Sequence, residues 1–243
     1  YPLICDGITK IKDIHLDFKL NEKQSIQKEA VASGKPLVKP AEIKKFLSSL
    51  KNPLHFFYFE TVAPAIPLFD GTSPFQQIPF QFSLHIINEP GGKPEHFEFL
   101  AKHSEDPRRD LIEALKAVKP KGTILCYNAS FEKNVIKELL EAFPKEKWLG
   151  SVIERIDDLI IPFRNFWYYH PKQHGSASLK AVLPALTGKG YGHLEISEGG
   201  TAARKFLEMM YKGKPLSAAD KNKIRKDLLA YCWQDTMAMI DVL

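Results

Sequence analysis

Residues 78–87 read Ile-Pro-Phe-Gln-Phe-Ser-Leu-His-Ile-Ile, so Ile78, Phe80, Phe82, Leu84 and Ile86 alternate with Pro79, Gln81, Ser83 and His85. An extended strand sends successive side chains to opposite faces, and a period of two therefore commits the chain to a β-sheet. The pattern predicts one buried face and one wetter face. The run Leu-His-Phe-Phe-Tyr-Phe-Glu-Thr from Leu54 to Thr61 is short and aromatic, as a neighbouring strand would be. A third short strand is expected at 96–100, after the turn at Gly91 and Gly92.

Past residue 100 the apolar period lengthens. Leu111, Ile112, Leu115 and Val118 form one stripe and predict an amphipathic helix over 107–118. Lys121 and Gly122 close that connection, and 123–127 reads as a buried strand. Ser130 is placed to N-cap a helix over 131–142. Another short strand is expected at 156–161, and from Ser178 onward the pattern is helical, with helices at 202–211 and from about 217 to the end. A strand meander followed by alternating strands and helices predicts an α/β fold with a mixed five-stranded sheet flanked by helices.

The sheet-forming region begins near Pro53. Residues 1–53 carry 10 Lys against 6 acidic residues, a formal +4, and few aromatics. They are expected to be a Lys-rich connector from an upstream region, with a short helical pattern from Ala41 to Leu47, docking on a domain over 54–243. The remaining residues hold 24 basic against 23 acidic groups, so charge alone does not establish a polyanion partner. With 44% hydrophobic and 26% charged residues, the chain has a globular profile, which excludes disorder, collagen and coiled coil. Its apolar runs fall well short of the roughly 20 residues of a membrane span, so no membrane partner is expected. Cys5, Cys126 and Cys232 lie too far apart for a zinc pattern, and their odd number argues against a disulfide framework. A reducing, cytoplasmic location is expected. The chain begins at Tyr1 without a charged and apolar leader, and reads as a piece of a longer protein.

Three separated places carry chemistry. These are Tyr58-Phe59-Glu60-Thr61 on the first strand, Asn128-Ala129-Ser130-Phe131-Glu132 at a strand-to-helix junction, and Tyr231-Cys232-Trp233-Gln234-Asp235 in the last helix. Together they resemble the three motifs of the DnaQ-like (DEDD) exonuclease superfamily, in its tyrosine-bearing branch. The run from Phe59-Glu60-Thr61 through Pro64-Ala65-Ile66-Pro67 and on through 74–85 (Pro-Phe-Gln-Gln-Ile-Pro-Phe-Gln-Phe-Ser-Leu-His) is similar to a family known as DUF2779, as are 178–184 (Ser-Leu-Lys-Ala-Val-Leu-Pro) and Tyr231-Cys232 with Asp235-Thr236. The resemblance covers roughly 54–243.

That resemblance implies a ribonuclease H-like fold and a metal-dependent 3′→5′ exonuclease-type activity on nucleic acid, with single-stranded ends as partner. It implies a different nuclease-like domain upstream in the same chain, of which Cys5 would mark the tail. Strand residues two apart share a face, so Tyr58 and Glu60 project together, and Tyr231 and Asp235, four apart, share a helix face. In the family, carboxylates at such positions hold two Mg²⁺ or Mn²⁺ ions, which accept hard oxygen ligands. The implied ligands here are Glu60, Glu132 and Asp235, with Asp158 as a further candidate after a strand. Tyr231 would hold the attacking water, because a phenol with a pKa of about 10 is a poor base at neutral pH. The first-motif Asp of the superfamily is Tyr58 in this chain, and a phenol is a poor substitute for a bridging carboxylate. The two-metal site is therefore expected to be incomplete and its activity weakened. The alternative is a catalytically degenerate module that binds nucleic acid or protein.

Thr61, Phe75, Gln77, Asn128 and Lys180 are candidate nucleic-acid contacts; Asn128 serves equally as a turn residue and Lys180 as a solvated helix residue. The aromatic run Phe163, Phe166, Trp167 and Tyr168 would either stack unpaired bases or form core.

Overall fold

A computed structural model describes residues 2–15, 17–211 and 216–243 of the chain. Its elements run α1 (Pro2–Cys5), α2 (Glu22–Ser33), β1 (Leu37–Val38), α3 (Pro40–Ser49), β2 (Leu54–Val62), β3 (Ile78–Ile87), β4 (Glu95–Leu100), α4 (Arg108–Ala114), β5 (Ile124–Cys126), α5 (Ser130–Ala142), α6 (Trp148–Glu154) and β6 (Ile156–Asp158). They continue as α7 (Ile161–Arg164), β7 (Tyr168–Tyr169), α8 (Leu179–Thr187), α9 (Gly199–Tyr211) and α10 (Ala218–Val242). The chain divides into two compact units, one of residues 1–49, 160–190 and 242, the other of 50–159, 191–241 and 243. Among the described residues, no helix is long and apolar enough to cross a membrane.

The larger unit is built on a mixed five-stranded sheet in the order β4-β3-β2-β5-β6. β4, β3 and β2 pair antiparallel; β2, β5 and β6 run parallel. Phe57, Phe59, Phe82, Leu84 and Ile86 on one face pack with Leu111, Ile112, Val135, Ile136 and Val152 from α4, α5 and α6. The edge-on Phe57–Phe59 contact, 4.6 Å between centroids, contributes on the order of 1 kcal/mol beyond area burial.

The opposite face of β3 departs from expectation, because it is not wet. Gln81, Ser83 and His85 are all 2% exposed or less. Helix α10 covers them and brings partners to each residue: Gln81 Nε2 donates to Leu228 O at 2.8 Å, its Oε1 being buried without a partner among the described residues, while Ser83 Oγ and His85 Nδ1 each lie 2.8 Å from Thr236 Oγ1. A buried polar group left without a partner costs about 1–3 kcal/mol, so this polar row accepts only a helix that brings matching groups. The polar half of the alternation marks a second buried layer rather than solvent. An extra residue also enters β3 where Glu60 faces Gln81 and Thr61 faces Pro79. Phe80 is that residue, and it stacks on Phe206 of α9 at 3.9 Å.

Other elements differ from the sequence expectation in detail. The helix expected over 107–118 ends as a 3-10 turn at Leu115–Ala117, and the strand expected over 156–161 stops at Asp158. Ser130 is not the N-cap of α5; it is the first helical residue, preceded by Ala129 in helical geometry with no side-chain cap. Asn128 makes that entry instead. Its φ of +73° turns the chain, and its carbonyl accepts the Phe131 N–H at 3.1 Å. Gly122, before β5, has φ +90°, and a Cβ there would meet the Pro53 carbonyl oxygen at 2.0 Å, so only glycine fits.

In the smaller unit, α2 is capped by Asn21 in a reciprocal bond pair with Gln24 and ends at Gly34 in a left-handed turn. β1 and β7 pair antiparallel over a small core of Ala30, Phe166 and Tyr169. Phe163 is buried as well, so of the aromatic run Phe163 and Phe166 serve as core, while Trp167 and Tyr168 are half-buried.

Two buried histidines link the larger unit's stability to pH. His55 Nδ1 lies 3.1 Å from Thr123 O, while its Nε2 accepts the Lys119 N–H at 3.2 Å, which fixes a neutral tautomer. Burial pushes both His55 and His85 down to about 4 from the ordinary 6.5. The unfolded chain takes up these protons first, so the stability they contribute is complete above about pH 6.5 and is lost as pH falls toward 4. Thermal melts across that window are expected to fall steeply with acid, and His85→Gln is expected to remove part of the slope. A His85→Gln slope equal to the parent's would show that His85 contributes nothing to it.

Candidate active site

β2, β5 and β6 are parallel, so their C-terminal ends open on the same edge of the sheet. Glu60 lies near the end of β2, Glu132 in the first turn of the helix that follows β5, and Asp158 at the end of β6. On α10 the buried residues Ile224, Leu228, Tyr231, Asp235, Ala238, Met239 and Val242 recur at helical spacing, so Tyr231 and Asp235 belong to the stripe facing the sheet. Four separate stretches of chain thereby converge. Glu60 and Asp235 are each 4% exposed, and Glu132 and Tyr231 each 1%.

The electrostatics record the convergence. Burial pushes the Glu132 carboxyl up to about 8; its own backbone N–H opposes this, the charges of Asp158 and Asp235 add to it, and the Phe59 N–H lowers it slightly. Its Oε2 is buried and accepts no hydrogen bond. Tyr58 is raised well above 10 by burial and then by the charges of Glu60 and Asp235. Tyr231 is raised by burial and then by Asp235 and Glu60, and its hydroxyl shares a hydrogen bond with Tyr58. Both phenols are therefore neutral donors at ordinary pH, and neither stands in for a carboxylate. Asp235 Oδ1 accepts a 2.7 Å hydrogen bond from the Tyr191 hydroxyl.

The remaining candidates divide. Asp158 is half-buried at the rim, where its Oδ1 accepts the Asn128 N–H at 2.9 Å. Thr61 donates to Gln77 Oε1, which pins the loop before β3 to the end of β2. Phe75 is 69% exposed with φ +61°, an uncommon conformation for a bulky residue, held by its N–H on Pro64 O at 3.0 Å. Lys180 is exposed on α8 of the smaller unit. Tyr191 escaped the sequence reading because it belongs to no motif; the glycines on either side of it were the one available signal.

The donors are hard oxygens and fit a divalent cation in kind, with Glu132 Oε2 lacking any other partner. Among the described residues, however, no three His, Cys, Asp or Glu side chains are gathered into a formed metal centre. Tyr58 also withholds the carboxylate that would bridge two ions.

The chain belongs to the family described as Domain of unknown function (DUF2779), whose model matches residues 55–178. The matched span includes Glu60, Glu132 and Asp158 and ends before Tyr191, Tyr231 and Asp235. The chain is 26% identical over 225 residues to "Uncharacterized protein MG366 homolog" of Mycoplasma pneumoniae, covering 83% of this chain and 33% of that protein. It is 26% identical over 240 residues to "Uncharacterized protein MG366" of Mycoplasma genitalium, covering 88% and 35%. "Uncharacterized protein UU173" of Ureaplasma parvum is 25% identical over 219 residues, covering 80% and 31%. The chain thus spans about a third of the length of these relatives. No solved structure matches it significantly.

Glu132 makes the site's burial measurable. Unfolded, its carboxyl ionises near 4.5; folded, it holds its proton to about 8. Rising pH therefore favours the unfolded chain progressively between those values, by an amount on the order of a few kcal/mol, and the effect levels off above about 8. Glu132→Gln, tested without divalent cations, is expected to be more stable than the parent at pH 8 and nearly equal to it at pH 4.5. A variant less stable than the parent at pH 8 would contradict the assigned protonation.

Proposed function

We propose that the chain is a divalent-cation-dependent 3′→5′ exonuclease-type domain of ribonuclease H-like (DnaQ-like) architecture, acting on single-stranded nucleic-acid ends, with a cation site weakened by Tyr58. The observation that carries this is the convergence of Glu60, Glu132 and Asp235 at the C-terminal ends of parallel strands. Open α/β sheets hold their ligands at that edge. A sheet whose first strand is central, with the second and third antiparallel on one side and the fourth and fifth parallel on the other, supports the same architecture.

A bound Mg²⁺ or Mn²⁺ supplies Lewis acidity to a phosphoryl oxygen and lowers the pKa of water. Glu60, Glu132 and Asp235 would hold it, with Asp158 at the rim. Tyr231, a phenol that stays protonated, would orient the attacking water by hydrogen bonding without taking its proton. The exposed Phe75 ring offers a face for an unpaired base, and Thr61, Gln77, Asn128 and Lys180 are the proposed polar contacts. Charge segregates between the two units. Residues 1–49 and 160–190 hold 13 basic against 6 acidic residues, +7, and the rest hold 21 against 23, −2. The grip on phosphates is accordingly assigned to the smaller unit. Three free cysteines, Cys126 and Cys232 of them buried, accord with a reducing cytoplasm. An upstream nuclease-like domain would lie in the longer protein.

The second reading is a degenerate module that binds nucleic acid or protein without cutting it. The hydrogen bond between Tyr58 and Tyr231 favours it, because it engages the Tyr231 hydroxyl that would otherwise orient a water.

Tyr58→Asp decides between the two. The parent is expected to degrade single strands slowly with Mg²⁺, Tyr58→Asp to raise the rate by orders of magnitude, and Asp235→Asn in that background to abolish the gain. If Tyr58→Asp restores nothing, the binding module is the better account. Affinity for a single-stranded oligonucleotide is expected to fall with salt, at a slope of about −0.7 per phosphate contact on logarithmic axes. Charge reversal of Lys44 and Lys45 is expected to flatten that slope; an unchanged slope would remove those residues from the contact.

A further inference from the structure

Tyr191 lies in the irregular stretch between α8 and α9 and is 7% exposed, with its hydroxyl directed at Asp235 Oδ1. Its neighbours are Gly190 and Gly192, within Gly188-Lys189-Gly190-Tyr191-Gly192. Neither neighbour has a positive φ, and a Cβ on either would meet nothing within 4 Å. Neither backbone strain nor crowding therefore calls for glycine at these two positions.

A carboxylate on a helix turns about two side-chain bonds, and a cation gains most from one whose orientation is already fixed. Hydrogen-bond partners of ligating groups typically contribute 10–100-fold to metal affinity for that reason. The Tyr191 ring also approaches Tyr231, with centroids 6.4 Å apart and planes at 60°, which braces the phenol against the helix that carries Asp235. A phenol is suited to this task because it donates a hydrogen bond without bringing positive charge, so Asp235 keeps its full charge for a cation. A Lys or Arg in its place would compete with the ion.

We infer that Tyr191 is a positioning residue for divalent-cation binding: its O–H holds Asp235 Oδ1 and thereby presets the other carboxylate oxygen for the ion. The inference rests on the cation-site reading above. It adds a fourth stretch of chain to the three motifs, one that provides no ligand and sets the direction of one.

The test is Mn²⁺ binding by the full chain, followed by electron paramagnetic resonance, with metal-free melting temperature measured alongside. Tyr191→Phe, which removes only the hydroxyl, is expected to weaken Mn²⁺ binding 10–100-fold and to lower the metal-free melting temperature only modestly, by the loss of one hydrogen bond to buried Asp235. Asp235→Asn is expected to weaken it further, and adding Tyr191→Phe to Asp235→Asn should cost little more, because the two act through one group. If Tyr191→Phe binds Mn²⁺ like the parent while Asp235→Asn does not, Tyr191 merely packs and this inference is overturned with the cation site intact. If Asp235→Asn also binds like the parent, or the parent binds no Mn²⁺, the cation-site reading itself fails. A Tyr191→Phe chain that no longer unfolds cooperatively without metal would mark a packing defect and overturn the assignment.

Discussion

Three carboxyl groups enclosed with almost no solvent set the terms for the larger unit. Glu60, Glu132 and Asp235 are each 4% exposed or less, and a carboxylate without water needs a proton, a donor or a cation. This protein uses the first two. Glu132 keeps its proton to about 8, and Asp235 takes the Tyr191 hydroxyl. Tyr58 occupies the position where the superfamily resemblance expects another acid, and a neutral phenol there removes one negative charge from the cluster. A neutral phenol at this position also makes the cation-free cluster easier to bury than a further carboxylate would.

The register of α10 is what makes the cluster possible. Thr236 stands next to Asp235 and meets Ser83 and His85 of β3, while Leu228 O takes Gln81. Sliding the helix by one turn, about 5.4 Å, would strand the Gln81, Ser83 and His85 groups together. Several hydrogen bonds of roughly 1 kcal/mol each then act as a gauge, while the apolar stripe from Ile224 to Val242 supplies most of the adhesion. His96 extends the gauge to the edge strand, with its ring stacked on His85 at 4.3 Å and Nε2 3.0 Å from Ser83 Oγ. The polar row is thus a positional code for Tyr231 and Asp235.

The strand meander, the α/β class and the five-stranded mixed sheet were legible because period-two alternation and aromatic runs report local backbone geometry directly. The covering of Gln81, Ser83 and His85 was not, because a polar residue reads the same whether its partner is water or a helix some 150 positions away. Ser130 failed as an N-cap for a related reason: the turn is made by Asn128 at φ +73°, and its N–H is held by Asp158, a long-range partner. Helices α2 and α6 went unread, the first with its apolar residues spread around the axis, the second only seven residues long. Among the candidate site residues, Glu60, Glu132, Tyr231 and Asp235 were singled out through the resemblance of their three motifs to a known superfamily. Tyr191 was visible to no pattern, since its role depends on a contact across 44 positions.

The family match at 55–178 covers all of the five-stranded sheet but Leu54 and yet describes only part of a folding unit. Within that span, β3 turns Gln81, Ser83 and His85 to a face whose partners, Leu228 and Thr236, lie beyond it, as does Phe206, against which Phe80 stacks. Without α9 and α10 that face would present a large aromatic residue and a row of polar groups side by side, neither a core nor a solvated surface. Glu60 would then stand in water at the end of a strand, where a carboxylate has its ordinary acidity and no neighbour to share an ion with. The chemistry proposed for the Tyr58-to-Thr61 motif on β2 therefore depends on residues after 178, and the sheet acquires a site only where the last helix covers it.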